Sequence, residues 1–154
     1  MNQVSQFLRQ YHLEEQHVYL LELIPLIKMI WADGQKQPAE VSILKRFTMN
    51  HLATLAARNE GVMPVTVETT NLFMDRFLGS EPSKTMLDDL NRLCVNRLRN
   101  HSDLEFSRGR AQEIIDFCID IAAACAADYP YEFNERIVEQ EKTTLKNLIK
   151  EFGF

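Results

Sequence analysis

Apolar residues recur every three and four positions along almost the whole chain, and that spacing predicts helices throughout. Val4, Phe7, Leu8 and Tyr11 share one face of a short first helix. A longer helix is predicted over 14–32, with a kink or break at Pro25, whose ring removes a backbone bond and crowds the preceding turn. Gly34 is placed to close it in a left-handed cap. Pro38 suits the first turn of the next helix, which runs to about Asn59 with Val41, Leu44, Phe47, Leu52 and Leu55 inward. Residues 61–65, with Gly61 and Pro64, read as a loop, and 79–82 (Gly-Ser-Glu-Pro) as a turn.

Between these breaks, 67–78 is a helix with Leu72, Phe73, Phe77 and Leu78 on its apolar face. Residues 83–100 form another, with Met86, Leu87, Leu90, Leu93, Cys94 and Leu98 at helical spacing. Ser102-Asp103-Leu104-Glu105 matches a capping box and starts a long helix ending at Ala127. The last helix covers 139–152, with Leu145, Leu148, Ile149 and Phe152 inward, after a long loop. Strand signal is nearly absent. The expectation is a single all-α domain over 1–154, a compact bundle of six to eight helices.

Composition narrows the function classes. The apolar fraction of 45% is enough for a core, and five Gly and five Pro argue against a loop-rich chain. A net charge of −5 disfavours nucleic acid as a partner. Arg92, Arg97, Arg99, Arg108 and Arg110 form a local basic cluster, read as a solvated surface. Cys94, Cys118 and Cys125 lack any Cys-x-x-Cys spacing and are expected as small core residues in a reducing, cytoplasmic setting. The first residues show no basic stretch followed by an apolar run, so no secretory leader is expected. The longest apolar stretch, 20–32, is interrupted by Glu22, Pro25 and Lys28 and is too short to span a bilayer.

The candidate chemistry lies at two helix ends. The largely apolar runs 24–32 and 119–127 each lead into an aspartate, Asp33 and Asp128, with Glu40 after the first and Glu135, Glu139 and Glu141 after the second. A carboxylate at a helix C-terminus is repelled by the partial negative charge of the carbonyl end. Finding this twice points to something positive nearby, either a metal ion or a Lys or Arg such as Lys36 or Arg46. Such oxygen donors suit Ca²⁺, Mg²⁺ or Mn²⁺. Asp33 with Glu40 and Asp128 with Glu135 share a spacing of seven, whereas Glu40–Leu44 aligns with Glu141–Leu145 by a spacing of four, so two registers of the repeat stand open.

Other chemistries fail on spacing. An EF-hand over 128–139 would need Gly at its sixth position, where Phe133 stands, and Pro130 occupies the third. Glu14-x-x-His17 has no second copy, as a di-iron bundle would require. No zinc cluster, P-loop, dinucleotide fingerprint or nucleophile elbow occurs. Trp31 is expected in the core; Tyr131 and Phe133 mark either a partner surface or a closure of the bundle end.

At Trp31-Ala32-Asp33-Gly34, with Glu40 and Leu44 following, the chain resembles the TerB-like family of tellurite-resistance proteins. Ala126-Ala127-Asp128, then Glu135 or Glu141, and the closing 148–153 run are similar to the second half of that pattern. Asp128-Tyr129-Pro130 departs from it, since the family prefers Asp-Gly. The resemblance implies an all-helical fold of two packed halves and a metal site built from Asp33, Glu40, Asp128 and Glu135 or Glu141. It also implies a non-enzymatic module acting in a stress-response or membrane-associated assembly with a protein partner. The alternative is a metal-free protein–protein interaction domain. A third class, an enzyme using paired carboxylates as acid and base, would need two acids facing each other in one cleft.

Overall fold

Helix α2 (Ile24–Ile30) explains the architecture, because its sequence leaves almost no polar face. Ile24, Pro25, Leu26, Ile27, Met29 and Ile30 are all buried, and a helix apolar on every side must sit in the interior. Each such fully buried aliphatic side chain stabilises by about 1.5–3 kcal/mol. The computed structural model describes the backbone of residues 3–32, 34, 36–128 and 131–153, and their side chains except at 3 and 125–138. Its other helices are α1 (Gln3–Gln10), α3 (Pro38–Arg58), α4 (Val67–Leu78), α5 (Lys84–Arg99), α6 (Leu104–Asp128) and α7 (Tyr131–Phe152). A 3-10 segment, Glu15–Leu23, precedes α2. No strand occurs among the described residues, and the bundle of six to eight helices is the observed fold class.

The 3-10 segment, α3, α5, α6 and α7 all pack against α2, and α6 with α7 forms the most extensive helix pair. The inward stripes follow from spacing: Leu44 and Phe47 on α3, Phe73 and Phe77 on α4, Leu87, Leu90, Cys94 and Leu98 on α5. On α6 the stripe is Ala111, Ile114, Cys118 and Ile121, and on α7 it includes Leu148 and Phe152. No described helix is long and apolar enough to cross a membrane.

The break expected at Pro25 within 14–32 is there, as a 3-10 segment followed by α2, and three other expectations change. Pro25 lies in the first turn of α2, where its missing N–H costs no intrahelical bond. The long loop expected before residue 139 is absent, because α7 starts at Tyr131. Pro130 immediately precedes it in sequence, and the next ten residues hold no Gly or Pro and several strong helix formers. Leu72 and Ile149, expected inward, are 64% and 46% exposed, since their neighbours Phe73 and Leu148 take the buried side of the turn. The cap of α6 is Asp103, one residue beyond the expected Ser102: its Oδ1 accepts the Phe106 N–H at 3.0 Å.

Candidate functional site

At the junction between α2 and α3, Gly34 and Pro38 take the positions that the sequence predicts. Gly34 adopts φ +81°, the left-handed conformation that Gly enters without a Cβ penalty. Its N–H donates to the Trp31 carbonyl at 2.9 Å. Trp31 is half-buried rather than fully in the core. Its indole Nε1–H donates to the Phe77 carbonyl at 2.9 Å, and Lys36 Nζ donates to the Leu78 carbonyl at 2.7 Å. The junction is thus tied on both sides to the C-terminal carbonyls of α4, which need such donors. Arg46, the other cation considered for Asp33, has its guanidinium 6.0 Å from the Phe117 ring centroid. Asp33 itself lies outside the described residues.

Glu40, in the first turn of α3, is completely buried. Its Oε1 accepts the Gln37 N–H at 3.0 Å, closing a capping box. On the second half, Asp128 is the last residue of α6 and Glu135 lies within α7, not in a loop; the side chains of both are outside the described set. Glu139 is exposed, whereas Glu141 is 2% exposed. Burial pushes the Cys118 thiol well above its usual range, and the Glu141 charge adds to that shift, which places Glu141 towards the interior beside α6. Glu40 and Glu141 are the only buried carboxylates among the described residues. No group of three or more His, Cys, Asp or Glu side chains is placed to hold a metal among the described residues. What Glu40 and Glu141 contribute is oxygen, a donor suited to a hard cation.

A second polar centre went unread in the sequence. Arg110, assigned there to a solvated basic surface, is buried, with 5% of its side chain accessible. Its Nε donates to Glu22 Oε1 at 2.9 Å, Nη1 to Glu113 Oε2 at 2.8 Å, and Nη2 to His51 Nδ1 at 3.0 Å. A guanidinium has no acceptor, so His51 Nδ1 must accept and the ring proton sits on Nε2. That nitrogen then donates to the Tyr19 carbonyl at 2.6 Å. Phe47 stacks on the His51 ring with centroids 5.9 Å apart and planes at 6°. The network thus welds the 3-10 segment, α3 and α6 together. Only one signal could have found it: His51 follows Leu44 and Phe47 on the same helical stripe, a position too apolar for a surface histidine.

Compared with family models, curated proteins and solved structures, the chain matches none. The functional reading therefore rests on its own residues.

Arg110, His51 and Glu22 line a pocket of about 270 Å³. Its walls include Val18, Leu21, Leu55, Leu98 and Phe106, and Cys94 also faces it. Burial holds the Cys94 thiol well above its ordinary value, with the Glu22 charge reinforcing the shift. Such a thiol is not a nucleophile at neutral pH. Two other ion pairs among the described residues, Lys28–Asp88 at 3.0 Å and Arg92–Asp89 at 3.4 Å, are half-buried or exposed.

Proposed function

We propose that this chain is a non-enzymatic, TerB-like helical module that binds a divalent cation through acidic residues after α2, at the end of α6 and within α7. Asp33, Glu40, Asp128, Glu135 and Glu141 are the proposed donors, and Ca²⁺, Mg²⁺ or Mn²⁺ the proposed ion. The module serves a protein partner in a cytoplasmic stress-response or membrane-associated assembly. One observation carries this reading. Of the acids selected by pattern, the two in the site whose side chains are described, Glu40 and Glu141, are also the only buried carboxylates described. A buried carboxylate is held by hydrogen bonds, a positive charge or a metal, and Glu40 already accepts the Gln37 N–H. Both lie on helices that pack against α2.

The second reading, a metal-free interaction domain, draws on the capping box, which gives Glu40 a purely structural task. Calorimetric titration of chelator-stripped protein with each cation separates the two. The metal reading expects one saturable site, with affinity lowered at least about tenfold by Glu40→Gln and again by Glu141→Gln. Absence of saturable binding removes the metal and leaves the interaction domain, whereas binding untouched by both substitutions together with Asp33→Asn overturns the assignment of the site to these residues.

A further inference from the structure

The pocket beside Arg110 has the makings of a ligand site quite separate from the acidic junctions, since neither Glu40 nor Glu141 lines it. Its size falls between the roughly 150 Å³ that holds a benzene ring and the roughly 300–1,000 Å³ of drug-sized sites. A single ring or short alkyl chain with one polar end fits that volume. Its walls are apolar at Leu55, Leu98 and Phe106.

The polar lining is dominated by cations and donors. Arg58, Arg97, Arg110, His51 and His101 line the cavity against one acid, Glu22, in a chain whose net charge is −5. Glu22 Oε1 is taken by Arg110, and Arg110 has each of its three nitrogens engaged. Arg58 and Arg97 differ: both are exposed, and among the described residues neither makes an ion pair. Arg58 sits over Phe106, its guanidinium carbon 3.6 Å from the ring centroid, a cation–π contact that leaves its N–H groups to donate. His101 Nδ1 accepts the Asp103 N–H at 3.0 Å, so its Nε2 carries the proton and is a further donor. Apolar walls and a rim of donors that make no ion pair among the described residues describe a receptor for an amphipathic anion. Glu22 in the same lining disfavours a dianion by like-charge repulsion.

We propose that this pocket binds a small amphipathic monocarboxylate, its apolar body between Leu55, Leu98 and Phe106 and its carboxylate held by Arg58 and Arg97. The probes are octanoate and 3-phenylpropanoate, with octan-1-ol and 3-phenylpropan-1-ol as their neutral matches, titrated calorimetrically into the full chain. Saturable one-to-one binding of a carboxylate is expected, with the matching alcohol at least about tenfold weaker. Arg97→Gln and Arg58→Gln, both at exposed positions, should each weaken the carboxylate about tenfold and leave the alcohol unchanged. Leu55→Trp, which fills the cavity, should abolish binding of both while the protein still unfolds cooperatively. The proposal is overturned if neither carboxylate saturates at millimolar concentration, if an alcohol binds as well as its acid, or if both arginine variants keep wild-type affinity.

Discussion

Replacing Glu22 by Ala tests whether the Arg110 network is an interior structural element or a surface decoration. Arg110 has 5% of its side chain accessible, Glu22 19% and Glu113 38%. Removing one partner of a fully buried pair costs about 3–5 kcal/mol, because an uncompensated charge remains in the interior. Here Glu113 and His51 still hold Nη1 and Nη2 after the substitution, and Glu22 is partly wetted, so the expected cost falls to about 2–3 kcal/mol. Glu113→Ala removes an equally short bond, 2.8 Å, but from a solvent-facing carboxylate, and should cost less than about 1 kcal/mol. Urea unfolding followed by circular dichroism measures both. In thermal terms the two should differ clearly, by about 5–10 °C against under about 3 °C for a domain of this size. Arg110→Met combined with Glu22→Ala should cost markedly less than the sum of the singles, with a coupling of about 2 kcal/mol. Equal losses for the two glutamates, or strict additivity in the double variant, would refute the burial argument.

Three further outcomes follow from local geometry. His17 accepts the Glu14 N–H on Nδ1 at 2.9 Å, and burial, opposed by the Glu14 charge and aided by Arg76, holds its pKa below 6.5. The folded chain therefore binds that proton less readily than the unfolded one. Its stability contribution is intact above pH 6.5 and is lost as pH falls through the lower folded value. A urea midpoint series from pH 7.5 to 5 should show this loss in the wild type and a smaller one in His17→Gln. Gly34→Ala meets no atom within 4 Å, so its cost is the left-handed backbone alone, about 1–2 kcal/mol by chemical denaturation. In a Cys125→Ser background, Cys94 and Cys118 should resist a thiol reagent at pH 8 until the chain unfolds, because burial raises both pKa values. Rapid labelling of either in the native state would contradict that assignment.

The helices were legible because each interior stripe repeats at three and four residues, and the α2–α3 junction because Gly34, Pro38 and Glu40 each occupy the position their chemistry favours. The start of α7 was not legible: acids after Asp128 read as a loop carrying ligands, although Glu, Arg and Gln are equally the residues of a helix. Leu72 and Ile149 misled because neighbouring apolar residues compete for one face, and spacing alone does not say which wins. The Arg110 centre was legible only at His51, on the stripe of Leu44 and Phe47, and for a different reason. Its members are 88 and 59 residues apart, and only the packing of the 3-10 segment, α3 and α6 brings them together. Individually, Glu22 and Arg110 look like an ordinary acid and an ordinary surface arginine. Glu40 was selected by pattern, yet its complete burial depends on tertiary packing.

The cation assignment at Glu40 and Glu141 is tested most directly by thermal unfolding of chelator-stripped protein, with Ca²⁺, Mg²⁺ and Mn²⁺ added one at a time to wild type and to Glu40→Gln/Glu141→Gln. A cation at about a hundred times its dissociation constant stabilises by about 2.7 kcal/mol, which here is a midpoint rise of roughly 5–10 °C. The account predicts that rise with at least one of the three ions in the wild type and its loss in the double variant. An unmoved wild-type midpoint with every ion, or an equal rise in both proteins, would contradict it.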